Sequence, residues 1–257
     1  MMKDAVVITV GNEVLKGRTV NTNASFIGNF LTYQGYRVKL GLTVMDDLED
    51  ISWAFKTAMD RGDVIVSSGG LGPTFDDMTV EGFAKAIGSD NKLNQDALAM
   101  IEEKYKNIEI TPERKKMAMM PEVCKPIRNP VGTAPGLLCS VGGKKVVILP
   151  GVPMEMQALL ESMRDSLAIE NSCYFDESIN ITGIMESTFA PYVERVMREV
   201  DGVYVKSHPK NIEVVNPSLE IEVSAYDVSQ EAARKKVKDA IARIRAYAET
   251  ILDSKDK

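Results

Sequence analysis

The first apolar run, Ala5–Val10 (AVVITV), is continuous rather than alternating. Such a run predicts a strand buried on both faces of a parallel sheet. Apolar residues then recur at Ala24, Ile27, Phe30 and Leu31, and this spacing predicts a helix within Asn21–Gln34. Tyr36–Val44 reads as a second strand. Asp47 can cap a second helix that carries Leu48, Ile51, Phe55, Ala58 and Met59. Val64–Ser67 is the third strand and Thr79–Ile87 the helix after it. Strand and helix alternate, so the chain is expected to open as a doubly wound α/β domain with a mostly parallel sheet and right-handed crossovers.

Asn94–Lys106 is expected to be helical, and Ile110–Met120 to hold a short helix before Pro121. Leu137–Ser140 and Lys145–Leu149 flank Gly142-Gly143, a hairpin signal. Pro150-Gly-Val-Pro153 interrupts the chain, and Met154–Leu167 returns to helical spacing. Beyond Ala168–Cys173 the order changes. Ser178–Thr182, Val203–Lys206 and Leu219–Tyr226 read as strands, Ser187–Val200 and Gln230–Leu252 as helices. The last helix has one apolar stripe through Ala233, Val237, Ala240, Ile244 and Ile251. Two domains are therefore expected, residues 1–168 and a small α+β subdomain over 174–257, with the tail Ser254–Lys257 frayed.

Composition narrows the class. The 257 residues are 44% hydrophobic and 26% charged, ordinary for a soluble globular chain. The net charge of −6 argues against a nucleic-acid surface. No apolar run reaches the length of a membrane span, and Met-Met-Lys-Asp leads directly into a strand, so no signal peptide is expected. Cys124, Cys139 and Cys173 are odd in number, far apart and without histidine partners. They suggest free thiols in a reducing, cytoplasmic setting rather than disulfides or zinc.

The candidate chemistry sits where strands end. Val64-Ile-Val-Ser-Ser runs into Gly69, Gly70 and Gly72, then into the adjacent carboxylates Asp76 and Asp77, with a helix beyond. Strand, glycine loop and helix start is how a backbone presents N–H groups to an anion, and glycine leaves room for close approach. The two aspartates would repel a phosphate unless a divalent cation lies between. One could cap the helix near Thr79, but one cap position needs only one acid. Three further turns follow predicted strands: Gly11-Asn12-Glu13, Asp46-Asp47 and Pro150–Pro153. Ligands of open α/β sheets bind at those strand ends, so the loops are expected to converge. Each also has a plainer reading, as a turn or an N-cap. The lone histidine, His208, permits no Ser-His-Asp set elsewhere. With Lys206 and Lys210 it reads first as part of a solvated loop.

Gly69-Gly-Leu-Gly-Pro-Thr-Phe-Asp-Asp-Met-Thr79 resembles the signature of the molybdopterin-binding (MoCF) domain, and of its CinA-type branch in particular. Gly11-Asn-Glu-Val-Leu-Lys-Gly17 with Asn21-Thr-Asn23, Asn129-Pro-Val-Gly-Thr-Ala-Pro-Gly136 and Leu149-Pro-Gly-Val-Pro-Met-Glu-Met156 agree with that branch, in order, across residues 5–165. Val203-Tyr-Val-Lys-Ser-His-Pro209 resembles the small subdomain that follows. The resemblance implies a pterin- or nucleotide-phosphate cleft. Two aspartates implicated in the chemistry of the adenylyltransferase branch fall by motif on Asp77 and Asp46. The CinA branch is associated with metal-dependent hydrolysis of ADP-ribose at its pyrophosphate. No counterpart of the nicotinamide-nucleotide amidase domain is present in these residues, so deamidation is not implied. Asn12 stands where the family often has Asp, which removes one possible metal-binding charge.

On this reading Gly69, Gly70, Gly72 and Thr74 hold phosphate. Asp77, with Asp46 or Asp76, binds Mg²⁺ or a similar ion. Glu13 is a candidate base or a group behind the metal ligands, Asn23 a polar contact, and Thr133 and Gly151 the far side of the cleft. The alternatives are a molybdopterin- or nucleotide-binding module without turnover, and adenylyl transfer onto a pterin. A homo-oligomer, most simply a dimer, is expected.

Overall fold

Residues 2–106, 108–210 and 216–255 are described by a computed structural model of the chain. The chain divides into two compact units, Met1–Thr32 with Tyr36–Ala168, and Ile169–Lys257 with Tyr33–Gly35.

In the first unit β1 (Asp4–Val10), β2 (Arg37–Val44), β3 (Val64–Ser68) and β8 (Lys144–Leu149) form the parallel part of a six-stranded sheet. β7 (Gly136–Val141) and β6 (Cys124–Ile127) add to it antiparallel, and the order is β2-β1-β3-β8-β7-β6. Register runs straight from β1 through β3 to β8, with Val7 opposite Val66 and Val66 opposite Val147, while the β1–β2 pair shifts by one residue between Ala5 and Val6. The continuous apolar runs are explained by burial on both faces. Val6, Ile8, Ile65, Val146 and Ile148 enter one core with Ile51, Ala54 and Phe55 of α3 (Leu48–Arg61) and Phe83 of α4 (Thr79–Ile87). The alternate set, Ala5, Val7, Val66, Val147 and Leu149, is equally buried. α2 (Thr22–Tyr33) buries Ile27, Phe30 and Leu31, and α7 (Pro153–Ser162) buries Met156, Leu159 and Leu160. The predicted α/β architecture with a mostly parallel sheet is the observed one.

The Gly142-Gly143 hairpin is also as predicted. Both glycines have positive φ, +56° and +79°, as a two-residue turn matched to strand twist requires. Short elements escaped the pattern. α1 (Asn12–Leu15) and α8 (Arg164–Leu167) are single turns, and β4 (Lys92–Leu93) and β5 (Met119–Met120) are a two-residue ladder. β6 contains Pro126, which argues against a strand until its position at the sheet edge is known. α5 (Gln95–Tyr105), capped by Asn94, and α6 (Pro112–Lys116), capped by Thr111, lie where helices were expected.

The cysteines correct one expectation. Cys124 and Cys139 sit directly opposite each other in the β6–β7 ladder and form a disulfide; Cys173 is free. Fifteen residues of sequence separation conceal a pairing that antiparallel register creates. The argument from free thiols to a reducing compartment therefore fails. No helix among the described residues is long and apolar enough to cross a membrane.

The second unit is a small α+β layer. β9 (Cys173–Thr182), β10 (Val203–Pro209) and β11 (Ser218–Asp227) form an antiparallel sheet in the order β10-β11-β9. α9 (Glu186–Glu199) and α10 (Gln230–Lys255) complete a core of its own around Phe189, Ile221, Val223, Val237 and Ile244. Of the tail expected to fray, Ser254 and Lys255 continue α10, and Asp256 and Lys257 lie outside the described residues. His208 stands 3.4 Å from Glu222 and Lys210 2.5 Å from Glu220, so these two members of the basic cluster are spent on cross-strand acids.

Candidate functional site

β1 lies between β2 and β3, and the strand order reverses there. Such a switch point leaves a crevice at the carboxyl ends of the strands. A cleft of about 490 Å³ occupies it, lined by the loops after β1, β2, β3 and β8 and by the arch between β6 and β7. Glu13, Asp46, Gly69, Gly70, Gly72, Thr74, Asp76, Asp77, Thr133 and Gly151 all line it, as the convergence argument predicts.

The Asp46-Asp47 pair divides its labour. Asp47 is the N-cap of α3 and accepts from the N–H groups of Glu49 and Asp50 at 2.9 and 3.2 Å. Asp46 instead faces the cleft and accepts from the Asn12 N–H at 2.8 Å, which joins the β1 and β2 loops. Its carboxyl is pushed above the usual carboxylate range, first by burial and then by the charges of Glu13, Asp76 and Asp77; the Asn12 N–H opposes the shift.

The glycine loop needs its glycines for a reason the sequence does not show. Gly69 has φ +106°, and a Cβ there would lie 2.1 Å from the Val10 carbonyl oxygen; Gly70 has φ +66°, and its Cβ would lie 2.2 Å from Thr79 Oγ1. Both positions are dictated by packing of the loop against the end of β1 and the start of α4. The Gly69 N–H donates to the Leu149 carbonyl at 3.0 Å, so it is not free to cradle a phosphate. Gly151 approaches the same loop, with a Cβ placed 3.3 Å from Gly69 Cα.

Neither Asp76 nor Asp77 caps the following helix, whose N-cap is Met78 without a side-chain bond. They close a turn instead. Asp77 accepts from the Thr74 N–H at 2.9 Å, its own N–H returns to the Thr74 carbonyl at 3.3 Å, and the Thr74 hydroxyl faces both carboxylates. The Thr74 hydroxyl holds the Asp76 carboxyl below its ordinary range, with the Asp76 N–H and then Lys116 assisting. Lys116 anchors the turn through the Thr74 carbonyl at 2.8 Å.

Asn23 is buried and lies in a smaller adjoining cavity. Its amide donates to the Gly151 carbonyl at 2.8 Å, so it supports the cleft without lining it. Four contributors were missed: Tyr105, Met117, Glu155 and Asn129. The buried Asn129 organises the arch that carries Thr133. It accepts from Val131 and Gly132 N–H at 3.0 and 2.8 Å and donates to the Ala134 carbonyl and Glu155 at 2.9 and 2.7 Å. Gly132 leaves no room for a Cβ, which would meet the Glu155 carboxylate at 1.9 Å. An Asn that opens a Pro- and Gly-containing turn is a readable signal. Tyr105 and Met117 carry none.

Among the described residues that line the cleft there is no lysine or arginine. No group of three or more His, Cys, Asp or Glu side chains among the described residues is placed to hold a metal ion. The all-oxygen donor set nevertheless suits a hard cation of the magnesium type, which takes one or two carboxylates and leaves its other positions to water and phosphate.

Residues 6–168 match the family described as probable molybdopterin binding domain. The protein Ta0487 of Thermoplasma acidophilum is 64% identical over 247 residues, covering 96% of this chain and 96% of its own length. A protein of Caldivirga maquilingensis is 51% identical over 250 residues, covering 96% of this chain and 97% of its own. A crystal structure of the protein CinA with unknown function from Thermoplasma acidophilum is 67% identical, covers 65% of this chain and 100% of that chain, and superposes with a TM-score of 0.63. The matched region holds every loop of the cleft, and the chain belongs to the family of probable molybdopterin binding domains as a CinA-like member.

Proposed function

We propose that the cleft binds a phosphate-bearing pterin or nucleotide and hydrolyses a nucleoside diphosphate compound, ADP-ribose being the best candidate. The observation that carries this reading is the gathering of Glu13, Asp46, Asp76 and Asp77 around a glycine loop, with no cation-bearing side chain in the lining. A site for a bare anion would be basic. An acidic one suits a phosphate that arrives with a divalent cation. Such an ion, held by Asp77 with Asp46 or Asp76, supplies charge neutralisation at the phosphates and acidifies water.

The chain's own groups do the rest. The Thr74–Asp77 turn fixes the carboxylate of Asp77 at the cleft wall. Backbone N–H groups of the loop beyond Gly69 hold the phosphate. Glu13, on the loop after β1, accepts the proton of the attacking water. The water oxygen bonds to phosphorus, the pyrophosphate P–O bond breaks, and AMP and ribose 5-phosphate leave.

A binding module without turnover is the second reading. It is favoured by the fact that no three carboxylates among the described residues are placed to hold one metal ion. Release of AMP from ADP-ribose with MgCl₂, followed for the full chain, separates the two. Asp77→Asn keeps an acceptor for the Thr74 N–H and removes the charge. It should cost about 10²-fold or more in kcat while leaving Tm nearly unchanged. Tight binding without AMP release would establish the second reading, and full turnover in EDTA would remove the metal from the first.

A further inference from the structure

We infer that the side of the cleft formed by Tyr105, Met117 and Ala134 takes the planar heteroaromatic ring of the ligand, with Tyr105 as its stacking residue. The inference rests on the reading that the cleft takes a phosphate-bearing heterocyclic compound. It assigns the part of the site that the carboxylates and the glycine loop leave unexplained.

The cleft is two-sided. The ends of β1, β2 and β3 supply the acids and the glycine loop. Tyr105 is the last residue of α5, Met117 follows α6, and Ala134 lies in the arch held by Asn129. The side chains of these three are mainly carbon, and Met117 and Ala134 are only 8% exposed each. A polar phosphate gains nothing from that surface, whereas a flat ring does.

Tyr105 is built to receive one. Its ring packs partly against the core, and the guanidinium of Arg114 lies 4.1 Å from the ring centroid. Arg114 is held in turn by the carbonyl of Glu109. The ring is thus held by Arg114 over one of its faces, and little freedom remains to be lost on stacking. A tyrosine needed only for the core would be closed off from the cleft, yet Tyr105 lines it. Stacking reads the face of a ring and not its edge. The same wall therefore accommodates a purine or a pterin, and it favours ring-bearing phosphates over ringless ones without strict choice of base.

The test is a calorimetric titration of the full chain, in MgCl₂, with ADP-ribose whose bridging pyrophosphate oxygen is replaced by an uncleavable methylene, and with ribose 5-phosphate. Tyr105→Ala and Tyr105→Leu should weaken the ADP-ribose analogue roughly 5- to 150-fold, the range that base–aromatic stacking spans. Tyr105→Phe should bind it as the wild type does, and ribose 5-phosphate should bind equally to all four proteins. The leucine variant refills the volume behind the ring, so a loss of binding there is not a loss of fold. The inference is overturned if Tyr105→Leu binds the analogue as well as the wild type, or if ribose 5-phosphate weakens by the same factor. Those outcomes leave the proposed function standing. If the wild type binds neither compound, the functional reading fails and the ring subsite falls with it.

Discussion

Alanine at position 70 would place its Cβ 2.2 Å from the hydroxyl oxygen of Thr79. That hydroxyl cannot simply turn away. Thr79 is fully buried, its Oγ1 donates to the Gly69 carbonyl at 2.8 Å, and its N–H donates to the Gly70 carbonyl at 3.2 Å. Two costs combine. The left-handed backbone at φ +66° costs a residue with a Cβ about 1–2 kcal/mol. Displacing the threonine forfeits a buried hydrogen bond, about 1–2 kcal/mol. Gly70→Ala should therefore destabilise the first unit by about 2–4 kcal/mol, and at about 2–4 °C per kcal/mol its Tm should fall by about 4–16 °C. Gly17→Ala is the control, since Gly17 has φ +68° but nothing within 4 Å of a Cβ. It should show the backbone cost alone. Thermal unfolding of the full chain by circular dichroism, without ligand, compares the two. If glycine at 70 served only to admit a phosphate, Gly70→Ala would weaken ligand binding and melt like Gly17→Ala, with the backbone cost alone. A Gly70→Ala melt no lower than that of Gly17→Ala would refute the packing argument.

Three further outcomes are expected. Reduction of the Cys124–Cys139 bridge, whose cysteines are 15 residues apart, should lower the stability of the first unit by up to about 3 kcal/mol; three titratable thiols in untreated protein would contradict the pairing. Hydrogen bonds from Tyr247, Arg195 and Arg243 bring the Glu199 carboxyl down from 4.5 to about 2, so its stabilisation is present above pH 4.5 and lost as pH falls toward 2. Glu199→Gln should accordingly lower Tm at neutral pH, with the gap to the wild type closing across that window; a gap independent of pH would show that the charge is not what matters. A chain truncated after Ala168 should stay folded, because the first unit has a core and a complete set of cleft loops; loss of its circular dichroism would make the second unit part of that core.

Much of the architecture was legible because its causes are local. The runs at β1, β3 and β8 are apolar on both faces, and only a covered parallel sheet explains such runs. Gly142-Gly143 specifies its turn through positive φ, and Asp47 caps its helix with its own side chain. The convergence of the acid and glycine loops was also foreseeable, since every parallel strand delivers its next loop to the same edge.

Other features arise only when distant segments meet. Pro126 is tolerable in β6 because the strand is an edge, and Cys124 finds Cys139 because the register of β6 on β7 puts them opposite. Asp76 and Asp77 look like cap and ligand in the sequence. In space Thr74 draws both into one turn, and Lys116, at the end of α6, holds that turn in place. The sequence by itself determined the α/β alternation and which loops would face the ligand, because periodicity and turn chemistry act over a few residues. The tertiary structure decided what each loop residue does there, and it alone brought Tyr105, Met117 and Glu155 to the cleft, because no local pattern encodes a contact between segments tens of residues apart.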